Sequence, residues 1–393
     1  MVGSDYAATR WLYTSSYYQD NRGFIREDLL ANPMAQWERS NKQDLGFEMG
    51  FMKGELTLNV DLFNEYRDKM LLQPKSITFL IGNNLKMLNL GKVKKHGIEI
   101  EPEYRKRITP DLEIFVKGIF AWNENRVLFK DDPKAFPDYM KLAGKPLTEM
   151  LSVEYGLEGL EINQVQLTGN GHFNTIDEIH NNPSPIALSS LFVGDYKYLD
   201  YNCDGTINAL DKYPGKGLTY PPITYSFSGG FTWKGFDFNF MFSGNQGKYV
   251  QYNQAWEIEF IKGDWRVHAS QLDYWTPTNQ NAMHQTLHYP GSSSENNLVW
   301  GGGEADRGYQ TIIEGRYFRN ASYLRLKDVQ LGYSFKTPSL SRIIGVTQAN
   351  VYIAGSDLWT VTPLIEGDPE ATNFYQGYYP QMAVVRLGIK ATF

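Results

Sequence analysis

A single cysteine, Cys203, stands in 393 residues, which excludes an intrachain disulfide and any cysteine-built metal cluster. No apolar run reaches the roughly 18 residues of a membrane helix, so helical spans are excluded. No basic run accompanies the net charge of −6, which argues against nucleic acid as a partner. The six histidines fit no His-Glu-x-x-His spacing, and His268, His284 and His288 read as solvated loop residues. No Gly-x-Ser-x-Gly elbow occurs, and Gly301-Gly-Gly303 lacks the Lys-Ser/Thr that a phosphate loop needs. Catalysis therefore has no motif to stand on. Met1-Val-Gly-Ser has neither a charged n-region nor an apolar h-region, so no signal peptide is expected here.

Aromatic residues, by contrast, are plentiful: 26 Tyr, 22 Phe and 9 Trp, a supply that suits two interfacial girdles and ligand-contacting loops. Many of them alternate with polar residues. In the last eleven residues Val385, Leu387, Ile389, Ala391 and Phe393 oppose Arg386, Gly388, Lys390 and Thr392, the period of a strand with one apolar face. The same period recurs at Leu45–Phe51 and Leu56–Leu62 around a Lys53-Gly54 turn. It continues at 98–104, 112–122 and 224–233. After Lys234-Gly235, Phe236, Phe238, Phe240 and Phe242 all face one way. Segments 329–335 and, more weakly, 351–353 complete about nine strands, most near the roughly 9–11 residues that cross a tilted barrel wall.

The connections alternate too. Short turns are expected near 52–54, 105–110 and 233–235, with a moderate one at 336–348. Long polar connections are expected at 70–91, 123–223, 244–320 and 359–380, with residues 1–42 a linker before the first complete strand. Short turns at one end and long loops at the other suit an outer-membrane barrel, whose final strand pairs with its first and ends on an interfacial aromatic. A soluble β-sandwich also alternates, but it seldom lines four Phe along one face. Nine strands leave unpaired edges in lipid, where orphan amides are costly. The chain therefore reads as all-β, an antiparallel transmembrane barrel portion of a longer protein.

Four motifs then resemble one family. They are Asn32-Pro-Met-Ala-Gln-Trp37-Glu38 and Asn89-x-Gly91-x-Val93-x-x-x-Gly97-Ile98-Glu99. The third is Gly194-Asp195-x-x-Tyr198-x-Asp200-x-Asn202-x-Asp204-Gly205-x-Ile207-Asn208, and the last Tyr323-Leu-Arg-Leu-Lys-Asp-Val-Gln-Leu-Gly-Tyr333. In this order they resemble the C-terminal portion of SusC/RagA-type TonB-dependent transporters of Bacteroidetes. The resemblance implies a roughly 22-stranded barrel with long extracellular loops, located in the outer membrane. It further implies import of oligosaccharides or peptides with a SusD-like surface lipoprotein. Coupling to TonB would run through an N-terminal plug-bearing part that this chain lacks.

Within the 123–223 connection, Asp200, Asn202, Asp204, Thr206, Asn208 and Asp211 fall at positions 1, 3, 5, 7, 9 and 12 of a calcium loop, with Gly205 at position 6. Thr206 would contribute its carbonyl, and Asn208 would bind directly or through water. The competing reading is a metal-free, Asx-rich turn. Trp256, Trp265, Trp275, Tyr375 and Tyr378 are candidate substrate-stacking rings, and the alternative for each is packing within its own loop. Glu99, Glu101, Glu103 and Asp61 should line the lumen as wall contacts. Leu324 and Leu326 are out of phase with Val329 and Leu331, so either a β-bulge lies near Lys327-Asp328 or the strand starts at Val329. A second functional class is a secreted, soluble glycan-binding module or glycan-active enzyme with a calcium-stapled loop.

Overall fold

The computed structural model describes residues 12–17, 23–30, 32, 34–76, 84–85, 87–147, 149–152, 161–162, 165–166, 169–185, 191–197, 199–207, 209–211, 213–251, 269–287, 318–336, 345–365, 367–371 and 381–392. Nine strands form one antiparallel sheet in simple chain order. They are β1 Arg39–Phe51, β2 Leu56–Leu72, β3 Leu88–Thr109, β4 Leu112–Phe129 and β5 Ile223–Trp233. The remaining four are β6 Phe236–Gln246, β7 Tyr323–Lys336, β8 Gln348–Val361 and β9 Val384–Thr392. The sheet is a meander in which each strand pairs with its sequence neighbours.

The short turns all lie at one end. Lys234 and Gly235 have φ of 47° and 92° and join Trp233 directly to its partner Phe236. That is the two-residue connection with left-handed backbone at both positions that matches strand twist. The β1–β2 turn, Met52–Gly54, likewise holds Lys53 at φ 61°. The turn expected at 105–110 is tighter than that: β3 continues to Thr109 and only Pro110-Asp111 turn. Arg105 and Arg107 stay in the ladder because both reach Glu113 on β4. Residues 1–42 are also more than a linker. They contain the antiparallel pair Leu12–Tyr17 and Gly23–Leu30, and β1 already begins at Arg39, where the guanidinium grips Asp68 at 2.5 Å.

Register shows what the alternation is for. One row of paired residues crosses all nine strands: Phe51, Leu56, Tyr104, Val116, Gly229, Phe240, Val329, Gly355 and Val385. The adjacent row, on the opposite face, reads Gly50, Thr57, Glu103, Lys117, Ser228, Met241, Asp328, Ser356 and Val384. The first row starts at the turn end of β1 and finishes at the far end of β9. That is the stagger of strands tilted around a barrel.

The phase slip in β7 is a bulge. Lys327 has no partner in the register with either neighbour, opposite Asp357 and Leu358 of β8. The extra residue returns Leu324 and Leu326 to the apolar face, so the strand starts at Tyr323 rather than Val329.

Burial is inverted relative to a soluble domain. Val385, Leu387 and Ile389 are 66%, 80% and 76% exposed, while many buried side chains lie among the long connections, Phe173, Tyr196, Trp275, Met140 and Ala321 among them. Among the described residues no second sheet covers the apolar face, which removes the β-sandwich reading.

Candidate functional site

The sheet separates two environments. On the apolar face, rings form cross-strand contacts that continue from strand to strand. Phe231 and Phe238 lie 5.6 Å apart, Phe227 and Phe240 5.7 Å, and Phe236 and Tyr333 4.6 Å. Trp233 and Phe335 extend the ring cluster at the short-turn end, and Phe242 with Trp359 marks the other. Amphipathic rings at both edges of an apolar band are the girdles of a membrane barrel. The opposite face is polar and internally paired. Lys117 meets Glu101 at 2.5 Å, and Arg105 bridges Glu103 and Glu113. The Asp237 carboxylate accepts from Asn350 at 3.0 Å and Gln330 at 3.4 Å, lying over Gly332 where a Cβ would come within 2.5 Å of it. Glu99, Glu101, Glu103 and Asp61 fall on this face, as wall contacts.

The long connections are tied to one another at the far end. Asp131 accepts from the Ser76 hydroxyl at 2.6 Å and from the backbone N–H groups of Lys75 and Ser76. These bonds, the Ser76 hydroxyl foremost, hold its pKa below the usual carboxylate range. Segments 169–197 and 273–287 pack into one module. His172 bridges the carbonyls of Gly194 and Ala282, and the Tyr196 hydroxyl donates to Met283 O. Asp273 fastens its own segment, accepting from Asn279 and from the N–H of Met283, and both bonds lower its pKa in that order.

Trp275 belongs to this module. It is 5% exposed, and its indole N–H donates to Asn174 at 3.2 Å. Its ring faces are covered by the module, and Gly194 lies so near that a Cβ there would sit 2.5 Å from the ring. The ring offered by sequence as a stacking surface is therefore interior packing. Trp256, Trp265, Tyr375 and Tyr378 lie outside the described residues. Val385, Leu387 and Ile389 occupy the apolar face of β9 as expected, and Phe393 lies outside the described residues.

The loop at 200–211 is a ladder of Asx turns. Asp200 accepts from the N–H groups of Asp204 and Gly205, Asn202 from Asp204, and Asp204 from Thr206. Gly205 takes φ 83° and Cys203 φ 58°. Asp211 is fully buried and accepts from Tyr201 N–H at 2.9 Å. Tyr139 closes over the loop, its hydroxyl donating to Leu210 O and its ring edge-on to Tyr201. Burial, then Asp211, raises the Tyr139 pKa. The donors are hard oxygens of the type calcium takes. Among the described residues no three His, Cys, Asp or Glu side chains gather as a metal-holding group, and Asn208 lies outside those residues.

A second polar cluster escaped the sequence reading. Arg325 and Lys327 of β7, Asp357 of β8, and Asp368 and Glu370 beyond β8 form a chain of ion pairs. Lys248 joins them, donating to the carbonyls of Pro369 and Ala371. Burial lowers its pKa, with Asp368 and Glu370 pulling it back up. The available signal was two cations within the Tyr323–Tyr333 motif and the acidic Asp368-Pro-Glu370 after the next strand.

No family model matches the chain. TonB-dependent receptor P26 of Formosa agariphila is 25% identical over 379 residues, covering 92% of this chain and 35% of the relative. TonB-dependent receptor SusC of Bacteroides thetaiotaomicron is 22% identical over 399 residues, covering 100% of this chain and 35% of SusC. The chain thus spans about 35% of the length of these curated relatives. In fold, the RagAB peptide transporter superposes with a TM-score of 0.66 at 19% identity, over 98% of this chain and 38% of that one. Its open-open state gives 0.67 at 18% identity, over 100% and 38%. These relatives are TonB-dependent receptors and a peptide transporter. The fold of this chain is thus a known architecture. In sequence the chain is similar to TonB-dependent receptors over most of its length, and in fold it is similar to part of the RagAB outer-membrane transporter barrel.

Proposed function

We propose that the protein imports oligosaccharides or peptides across the outer membrane in a TonB-dependent manner, with a SusD-like surface lipoprotein at its mouth. The observation that carries this is the pair of nine-strand rows, apolar outside and polar inside. Such a wall needs lipid on one side and a hydrated passage on the other. The RagAB likeness supports the peptide alternative, and the aromatic content of the long connections supports the sugar alternative. Uptake of labelled peptides and labelled oligosaccharides by cells expressing the protein, with TonB present or deleted, separates the two. Loss of one class on removing either the protein or TonB is expected. Unchanged uptake of both classes without the protein would end the proposal. Co-purification of a lipoprotein from detergent-solubilised membranes tests the partner.

The 200–211 loop is proposed to hold calcium through Asp200, Asn202, Asp204 and Asp211 side chains, the Thr206 carbonyl and Asn208. There the ion would act as a clip on a long connection, and no transport chemistry is assigned to it.

A further inference from the structure

The bulge at Lys327 has a structural consequence on the polar side of β7. Without an extra residue, strict alternation would carry the polar face of β7 through a single continuous phase. With it, Arg325 and Lys327 both reach the segment beyond β8, and the Tyr323 hydroxyl joins them there. All three donate to one carboxylate: Glu370 accepts from Arg325 Nη1 at 2.5 Å, from Lys327 Nζ at 2.7 Å and from the Tyr323 hydroxyl at 2.7 Å. Arg325 is 3% exposed. Its other donors go to Asp368 at 2.7 Å and the Thr360 hydroxyl at 2.8 Å. Asp357, held at φ 53° opposite the bulge, accepts from Lys327 at 3.0 Å and from Gln381 at 2.8 Å.

Residues 367–371 therefore form a strap secured from three sides. From β7 come the three donors on Glu370. From the connection after β6 comes Lys248, which holds the strap's backbone through Pro369 O at 2.7 Å and Ala371 O at 3.0 Å. Beneath it Leu364 and Ala371 pack on Val250 and Ala321 in a small apolar cluster. That cluster is small, whereas the polar attachments are many, and three of them converge on Glu370. Neutralising Glu370 leaves Tyr323, Arg325 and Lys327 without their shared charged acceptor, so the strap is then held only by the Arg325–Asp368 pair, the two Lys248 bonds and the small apolar cluster.

We infer that residues 367–371 are a latched strap at the long-loop end of the barrel, closed by Glu370 on Tyr323, Arg325 and Lys327, which opens as a local unit without unfolding the wall. Regions that open locally are those with few buried apolar contacts and a limited set of polar ties. Its opening would expose Arg325 and Lys327 at the mouth together.

The test is amide hydrogen exchange on the detergent-solubilised protein and its Glu370→Gln and Glu370→Asp variants, read separately for the strap and for β5–β6. In Glu370→Gln, strap amides are expected to exchange faster by on the order of a hundredfold, with β5–β6 unchanged. Glu370→Asp keeps the charge on a shorter arm and should fall between. Unchanged strap exchange in Glu370→Gln overturns the inference. So does equal acceleration in strap and wall, which would make Glu370 a general prop of the barrel.

Discussion

Placing arginine at Phe240 probes the membrane wall where it is most sensitive. Phe240 lies four residues along β6 from Phe236, whose ring meets Trp233 and Tyr333 at the short-turn end. At about 3.4 Å per residue and a tilt near 40°, that separation is about 10 Å of depth. In an apolar band about 25 Å tall, Phe240 is then near the midplane and Phe236 near the rim. Arginine costs about 2–4 kcal/mol at the midplane and about 0–1 at the interface. Phe240 also surrenders ring contacts with Phe227, Phe238 and Phe242 at 5.7, 5.9 and 5.8 Å, each pair adding about 0.5–1.5 kcal/mol. Asn239 shares the depth but faces the polar interior, so Asn239→Arg should be nearly neutral. Urea-induced unfolding from lipid vesicles, followed by tryptophan fluorescence, would rank the variants. The expected order of loss is Phe240→Arg far above Phe236→Arg, with Asn239→Arg least. Equal losses for Phe240→Arg and Asn239→Arg, or a rim variant worse than the central one, would refute the assignment of faces.

Three further outcomes concern the loop end. Gly194 has φ 97° and no room for a Cβ beside Trp275, so Gly194→Ala should loosen the 169–197/273–287 module by about 1–3 kcal/mol. Limited proteolysis would show new cleavage in those segments while the barrel's melting stays put; an unaltered cleavage pattern argues against the packing. Asp131 has a depressed pKa because Ser76 and Lys75 donate to it, so its tie is present above the ordinary carboxylate range and lost as pH falls through the lowered folded value. Exchange protection of the Ser76 amide should drop on acidification and be low at all pH in Asp131→Ala, whereas protection that rises on acidification contradicts the sign. Calorimetric titration with calcium should show binding that Asp204→Ala removes, and no heat with the unaltered protein would dismiss the metal.

How much of this could be read from sequence depends on the range over which each feature is encoded. The wall is a period-two code, so Leu387, Ile389 and the four Phe of β6 could be assigned a face from their own neighbours. The Lys234-Gly235 turn was equally local, since left-handed backbone at both positions suits few sequences. At Lys327 the local code could show only that something slips; the partners across β6 and β8 decided between a bulge and a late start. The loop end has no period at all. Trp275 meets Asn174 across 101 residues, and Lys248 meets the Ala371 carbonyl across 123. A tryptophan in a long polar connection looks the same whether it faces a ligand or a neighbouring loop, because both environments reward a large ring with a satisfied N–H. The charges of the strap were visible as residues, but their convergence on Glu370 depends on a one-residue bulge that turns Arg325 and Lys327 to the polar face while Val329 and Leu331 keep to the apolar one. The same slip that blurred the strand's pattern in sequence is what builds the latch in the fold.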